Sequence, residues 1–149
     1  VLDRAIYAAG AQEAGEARMV IHRDRGAEDV ALWTDADRLA QVFINLISNA
    51  QKYCDADAPE LRIHVQQVPG GIEIDFTDNG AGVPRDQWST IFEKFARLDA
   101  GHRAGGAGLG LAISREIVTR LGGALNYVAP LGGGATFRVR VPRRDAVAA

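Results

Sequence analysis

Residues 35–53, DADRLAQVFINLISNAQKY, decide the fold of this chain because they form two contrasting faces at helical spacing. The apolar side chains recur at i, i+3, i+4 and i+7, which predicts the buried stripe of an amphipathic helix: Leu39, Val42, Phe43, Leu46, Ile47 and Ala50. Another face carries carboxamides and a lysine: Gln41, Asn45, Asn49 and Lys52. Carboxamide oxygens suit Mg²⁺ and an ammonium group suits phosphate. The helix is therefore either a core helix with an ordinary solvated face or one wall of a phosphate site.

Composition limits the class of protein. The 149 residues suffice for one domain with its own core, and 47% hydrophobic and 24% charged residues are ordinary for a globular domain. A formal net charge of -2 gives no indication of a nucleic-acid or lipid partner. The single cysteine excludes an internal disulfide, and the histidines lack metal-ligand spacing. No apolar run reaches the roughly 18 residues that cross a bilayer, so we expect no direct membrane contact by this domain.

The remaining chain predicts helices and strands in alternating blocks, which is typical of an α+β two-layer sandwich. We expect a short helix within residues 1–15, strands at 18–23 and 30–33, and a cap for the long helix at Thr34 or Asp35. Alternating apolar residues on both sides of Pro69-Gly70-Gly71 predict a β-hairpin. Two further strands are expected at 124–129 and 135–141.

A second helix is predicted at residues 108–121, ended by Gly122-Gly123. Its buried face is expected to carry Leu109, Ala112, Ile113, Ile117 and Leu121. Residues 143–149 are expected to fray, which leaves one domain at residues 1–142. The predicted sheet is mixed but mostly antiparallel and packs against about three helices.

The segment DNGAGVP at residues 78–84 directly follows a predicted strand. A carboxylate at a strand end, here Asp78, can accept hydrogen bonds from an amino group such as the exocyclic amine of adenine. Nearby glycines let the backbone approach a flat ligand. Asp-Asn-Gly is also a common turn sequence, so an Asx-type turn is the alternative interpretation.

The segment GGAGLG at residues 105–110 leads directly into the second predicted helix. Free N–H groups and the dipole at a helix start bind phosphate, and glycines remove side chains that would block its approach. No Gly-Lys-Ser/Thr follows and no strand precedes the segment, so it fits neither a P-loop nor a dinucleotide fingerprint. The alternative is a flexible linker. Residues 96–107 lack periodicity, and we expect them to be mobile.

Together, four segments in this order resemble the ATP-binding catalytic domain of sensor histidine kinases, in the superfamily shared with gyrase B, Hsp90 and MutL. NLISNAQKY is similar to the N box, DNGAGVP to the G1 box, IFEKF to the F box and GGAGLGLAI to the G2 box. The resemblance implies the Bergerat (GHKL, HATPase_c) fold and a cytoplasmic domain that binds Mg-ATP. It further implies donation of the γ-phosphoryl group to a histidine on a dimerisation domain of the same kinase, and from there to a response regulator.

The resemblance implies roles for the matched residues of the first two boxes. Asn49 resembles the Mg²⁺ ligand, and Asn45 is the other asparagine of the box, one turn earlier. Lys52 would contact phosphate and Tyr53 would flank the adenine. Asp78 would accept the adenine amino group. Two glycines would shape this pocket: Gly80 and Gly82.

The other two boxes would form the phosphate side and a lid at residues 96–107. Phe92 and Phe95 would anchor the base of the lid, although core packing is an alternative for both. Arg97 would face the phosphates and, with Asn45 and Lys52, act in the transfer. The phosphate turn would contain Gly106, Gly108, Leu109 and Gly110.

Asn45 separates the branches of the superfamily. The ATPases place a glutamate at this position to activate water, and a carboxamide cannot serve as a general base. Phosphoryl transfer to an imidazole relies mainly on positioning and charge neutralisation. The asparagine therefore favours a kinase over a clamp-type ATPase.

Two departures from the family pattern leave alternatives open. Ala107 stands where the family often has Thr or Ser, and no phosphoacceptor box surrounds His22, His64 or His102. We expect the acceptor domain upstream or on another chain, so that this domain alone would not autophosphorylate. The alternatives are a degenerate regulatory or scaffold module and an anti-sigma-type serine kinase.

Overall fold

The computed structural model describes residues 5, 20–24, 35–54, 56–88, 90–93, 110–128 and 134–142. These contain five strands: β1 (Val20–Asp24), β2 (Glu60–Val68), β3 (Gly71–Asp78), β4 (Ala124–Val128) and β5 (Ala135–Pro142). They form one sheet in the order β1-β2-β3-β5-β4. β1 is parallel to β2 and every other pair is antiparallel, so the predicted mixed, mostly antiparallel sheet is confirmed.

Two α-helices, α1 (Ala36–Tyr53) and α2 (Gly110–Arg120), contribute to a single core with the inward residues of the sheet. Of the predicted N-terminal helix only Ala5 is described, and it is helical and fully buried. The strand predicted at 30–33 lies outside the described residues. In the described part of the chain, no helix is long and apolar enough to cross a bilayer.

The hairpin of β2 and β3 follows from strict alternation. Along β3, Ile74 and Phe76 are buried on the helix side, while Glu73, Asp75 and Thr77 point to the opposite face. The same period of two places the last residue, Asp78, on the helix side. Its carboxylate therefore lies on the side of the sheet where α1 and α2 pack.

The first helix forms as its periodicity predicts. Asp35 caps it, because its side chain accepts a hydrogen bond from the Arg38 backbone N–H at 3.2 Å. Every predicted stripe residue is at most 5% exposed. Phe43 packs on Phe76 of β3 with ring centroids 5.3 Å apart. Burial of each large apolar side chain stabilises the fold by about 1.5–3 kcal/mol.

The predicted buried face of the second helix is partly wrong. Ile113 is 38% exposed and Ala112 is only half-buried, whereas Ser114, Ile117 and Val118 form the buried stripe. Successive helical residues are rotated by about 100°, so the contact of Ser114 with Asn45 of α1 turns the neighbouring Ile113 towards solvent. The helix ends as predicted at Gly122, whose φ is +87°.

Candidate functional site

The C-terminal end of α1 lies beside the segment that follows β3. The Cys54 thiol donates to Asn79 Oδ1 at 3.3 Å, and the Glu60 backbone N–H donates to the same oxygen at 2.8 Å. The Asn79 amide Nδ2 donates to the Ala58 carbonyl at 2.9 Å. Asn79 therefore joins the end of α1, the following loop and the strand end. The sequence motif did not assign this role to Asn79, although the position of Asn79 within Asp-Asn-Gly was the available signal.

Asp78 sits half-buried at the strand end next to this junction. Its Oδ1 accepts a hydrogen bond from the Gly80 backbone N–H at 2.8 Å. This is the geometry of the Asx-type turn considered above. The turn restricts the carboxylate to one orientation on the helix side of the sheet, so the turn and acceptor interpretations describe compatible features of one residue.

The structure shows a reason within the chain for glycine at position 82, beside the predicted approach to a ligand. Its φ is +84°, and a Cβ atom there would lie 2.5 Å from the Gly134 carbonyl oxygen. A Cβ atom on Gly134 would in turn collide with the carbonyl oxygen of Asp78. The backbone just before β5 thus packs directly against the 78–82 segment, and this contact within the chain requires glycine. Gly80 lies half-buried between these contacts, as the residue that donates to Asp78.

Two aromatic residues hold the far end of the same segment. The Tyr127 hydroxyl accepts from the Val83 N–H at 3.2 Å and lies 3.5 Å from the Gly134 carbonyl, to which it donates. The Trp88 indole N–H donates to the Val83 carbonyl at 2.8 Å, and its ring contacts that of Tyr127 at 5.4 Å between centroids. We call Tyr127 and Trp88 the aromatic clamp. The sequence carries no local signal for it, because it joins three separate parts of the chain.

The polar face of α1 is graded in exposure. Gln41 and Lys52 are exposed, whereas Asn45 and Asn49 are half-buried. Asn45 Nδ2 donates to the Ser114 hydroxyl of α2 at 3.1 Å. No hydrogen bond joins the Asn49 carboxamide to any other described residue. Asn49 is therefore the carboxamide of this pair that remains available to a ligand.

The second helix contributes its start and one cationic side chain. Gly110, its first described residue, is exposed, and a Cβ atom there would meet no other atom within 4 Å. Phe92 is half-buried, with the Arg115 guanidinium over its ring at 4.5 Å and the Phe137 ring at 6.1 Å. Phe92 thus packs on the core. The remaining predicted residues lie outside the described residues: Phe95, Arg97, Gly106, Gly108, Leu109 and the side chain of Tyr53.

A metal ion at this site would need ligand atoms from a bound substrate as well as from the protein. Within the described ranges, no three His, Cys, Asp or Glu side chains are grouped so that they could hold a metal ion. Mg²⁺ is commonly held by one or two protein oxygens together with substrate phosphates and water. A single carboxamide oxygen such as that of Asn49 fits this mode, whereas a metal bound by the protein alone does not fit the described residues.

The family described as histidine kinase-, DNA gyrase B- and HSP90-like ATPase matches residues 34–145 of the chain. The sensor protein KdpD of Escherichia coli strain K12 is 42% identical over 112 residues, which cover 75% of this chain and 12% of KdpD. The sensor protein VanS of Enterococcus faecium is 39% identical over 125 residues, which cover 83% of this chain and 31% of VanS. The chain thus spans less than a third of these curated relatives.

Solved structures agree with this assignment. The solved chain of the mycobacterial sensor histidine kinase MprB superposes with a TM-score of 0.80 at 25% identity, covering 96% of this chain and 93% of that solved chain. Full-length ShkA in complex with AMPPNP has a TM-score of 0.80 at 29% identity, covering 97% of this chain and 30% of ShkA. The chain therefore belongs to the histidine kinase-, DNA gyrase B- and HSP90-like ATPase family, as the ATP-binding catalytic domain of a two-component sensor histidine kinase.

Proposed function

We propose that this domain holds ATP together with Mg²⁺ and donates the γ-phosphoryl group to a histidine on the dimerisation domain of its own kinase. That histidine would pass the group to an aspartate of a response regulator. The observation that carries the proposal is the junction of the C-terminal end of α1 with the Asp78 turn through Cys54 and Asn79. A domain that consumes ATP is expected on the cytoplasmic side.

The two sides of this junction would bind different parts of the nucleotide. The fixed Asp78 carboxylate would accept the adenine amino group. The Asn49 carboxamide oxygen would hold Mg²⁺ beside the phosphates, where the metal would neutralise negative charge. The Lys52 ammonium and the N–H groups near Gly110 would contact the phosphates.

Residues beyond the described part would complete the site. We propose that Tyr53 flanks the adenine, that Phe95 anchors a lid over residues 96–107, and that Arg97 faces the phosphates. Gly106, Gly108 and Leu109 would form the phosphate turn before α2. Closure of such a lid would exclude water from the phosphates before transfer.

Asn45 supports transfer to a histidine over hydrolysis. Its amide Nδ2 donates to Ser114, and a carboxamide has no basic group that could take a proton from water. Phosphoryl transfer needs mainly alignment and charge neutralisation, because the imidazole nucleophile requires no activated water. The bound AMPPNP of ShkA and the sensor names of KdpD and VanS support the same assignment.

Calorimetric titration of this chain with ATP, with Mg²⁺ and then with EDTA, tests the proposal. We expect Asn49→Ala to lower the Mg²⁺-dependent affinity about tenfold and to leave the Mg²⁺-free affinity within about twofold. Asn126→Ala is the matched control, because Asn126 is an exposed carboxamide on the opposite face of the sheet.

The outcomes separate the alternatives. Absence of ATP binding up to millimolar concentrations would favour a degenerate regulatory module. Rapid ATP hydrolysis by the chain alone would favour a clamp-type ATPase. Transfer from ATP to a serine of a partner, with no transfer to a histidine-bearing dimerisation domain, would favour an anti-sigma-type kinase.

A further inference from the structure

Ser114 is a buried hydroxyl within the apolar stripe by which α2 docks. It is 0% exposed, and its neighbours on the stripe, Ile117 and Val118, are 6% and 0% exposed. A buried hydroxyl without a partner is costly, and Ser114 Oγ has Asn45 Nδ2 at 3.1 Å. Thr119 of the same helix instead donates to its own Arg115 carbonyl at 2.7 Å in an exposed position. The Ser114 contact is therefore a specific link between the two helices.

The link orients the Asn45 side chain. A carboxamide is planar and carries its donor and its acceptor on opposite branches. Because Nδ2 points to Ser114, Oδ1 is directed away from α2. Asn49 lies one turn further along α1, on the same side and nearer to the Asp78 turn. The two asparagines therefore lie on one side of the helix.

The link also joins α1 to the start of α2. Ser114 lies one helical turn after Gly110, where the second helix begins. A displacement of the first turn of α2 along the helix axis would move Ser114 and, through its hydrogen bond, the Asn45 side chain. The position of the phosphate-binding end of α2 is thus tied to the orientation of a side chain on α1.

The geometry points to Ser114 as a positioning residue of the nucleotide site. Ser114 holds the Asn45 carboxamide with its oxygen towards the magnesium–phosphate group and its nitrogen in the helix interface. This inference rests on the proposed function, because it requires Mg-ATP beside α1. The part of the nucleotide that the link would affect is the metal-bound triphosphate, because Asn45 shares its side of α1 with Asn49, the proposed Mg²⁺ ligand.

Ser114→Ala tests the proposal by removing the acceptor with little change in volume. We expect the affinity for ATP in Mg²⁺ to fall about threefold to tenfold, while the affinity in EDTA stays within about twofold. In the nucleotide-free ¹⁵N-labelled chain, the side-chain amide resonances of Asn45 should shift. Thr119→Val, which removes an exposed hydroxyl from the same helix, should change neither measurement.

A double-mutant cycle with Asn45→Ala separates positioning from packing. In the Asn45→Ala background, Ser114→Ala should change the Mg²⁺-dependent affinity by less than about 1.5-fold. An equal loss in both backgrounds, or unchanged Asn45 resonances, would overturn the inference. Ser114→Cys, with a weak acceptor, gives a second variant that should fall between wild type and alanine.

Failure of this inference is distinguishable from failure of the proposed function. A wild-type chain that binds no ATP would overturn both proposals. A wild-type chain that binds ATP with Mg²⁺ dependence, together with a Ser114→Ala variant of equal affinity, would overturn the positioning role alone.

Discussion

The two ends of the candidate site differ in how far the fold itself holds them. Hydrogen bonds within the chain hold the segment Asp78–Val83. They engage the Asp78 carboxylate, the Asn79 side chain, and the backbone N–H and carbonyl of Val83. At the other end, Lys52 is exposed and the Asn49 carboxamide has no partner among the described residues. The proposed adenine end is therefore built by folding, whereas the proposed phosphate end, apart from Asn45, remains open to a ligand.

The difference has a physical reason. Adenine is flat and neutral, so its recognition needs a fixed shape and one well-aimed acceptor. A triphosphate carries several charges, and Coulomb attraction acts over distances at which a flexible side chain can adjust. Substitutions at the adenine end should thus alter both stability and binding, unless they preserve the internal contacts. Substitutions at the phosphate end should alter binding alone.

Asp78→Asn should have the largest effect on binding. The asparagine Oδ1 can still accept from Gly80, but the charged acceptor for the adenine amino group is lost. Charge-assisted hydrogen bonds contribute about 1.5–3 kcal/mol, so we expect calorimetry to give a Kd for ATP raised about tenfold to one hundredfold. The free energy of unfolding in urea should change by less than about 1 kcal/mol.

Asp75→Asn is the matched control on the same strand. Asp75 lies on the opposite face of β3 and binds Arg138 through two contacts of 2.9 and 3.0 Å. Its hydrogen bond, together with its charge and that of Glu73, raises the pKa of Arg138 above its ordinary value. This variant should lower stability and leave ATP affinity unchanged. An equal affinity of wild type and Asp78→Asn would argue against an adenine acceptor at this position.

Tyr127→Phe should weaken ATP binding less than Asp78→Asn does, and it should also lower the stability of the fold. The variant keeps the ring contacts with Trp88 and Phe137 but removes both hydrogen bonds of the hydroxyl. We expect the free energy of unfolding to fall by about 1 kcal/mol and the Kd for ATP to rise about threefold.

Thr90→Val is the control for Tyr127→Phe. The Thr90 hydroxyl is exposed and donates to the Gln87 carbonyl at 3.1 Å, and it forms no hydrogen bond with Val83 or Gly134. It should change neither stability nor affinity appreciably. A Tyr127→Phe variant that loses stability but keeps full affinity would show that the aromatic clamp supports the fold without shaping the adenine pocket.

The periodicity of apolar residues predicted those features of the fold that neighbouring residues in the sequence determine. The buried stripe of α1 and the hairpin of β2 and β3 formed as expected, because apolar spacing alone selects their faces. The face of α2 was partly wrong because a buried serine, Ser114, paired with Asn45, occupies a place that hydrophobicity assigns to Ile113. The hydrogen bond joins residues that are 69 positions apart, and no pattern within one helix reports it.

At the candidate site, residue types alone gave only part of the reason why a position requires its residue. The motif predicted that Gly82 matters for a ligand, and the structure adds a requirement within the chain, because a Cβ atom there would meet the carbonyl of Gly134. The aromatic clamp escaped prediction because its partners come from β4, the turn after β3 and the approach to β5. Such long-range contacts decide how rigid a site is, and they become visible only in three dimensions.

Lys52→Gln should have the smallest effect and the simplest signature. Lys52 is exposed in the last turn of α1, so its removal should leave the free energy of unfolding within about 0.5 kcal/mol. Contact of an exposed ammonium with phosphate is worth about 1 kcal/mol or less, which predicts a Kd raised about threefold to fivefold. The difference from wild type should shrink between 50 mM and 500 mM salt, because salt screens exposed charges over about 10 Å.

Arg38→Gln tests whether the Lys52 effect is local. Arg38 is an exposed cation at the opposite end of the same helix, where it pairs with Asp35 at 3.4 Å. Its removal changes the net charge by the same amount as Lys52→Gln. Because Arg38 lies at the opposite end of the helix, however, we expect the ATP affinity to stay unchanged at every salt concentration. Equal losses for both variants would indicate general electrostatic attraction and would remove Lys52 from the phosphate site. A loss confined to Lys52→Gln, without any loss of stability, would indicate a local contact of an exposed side chain with the phosphates, as expected for an open phosphate end.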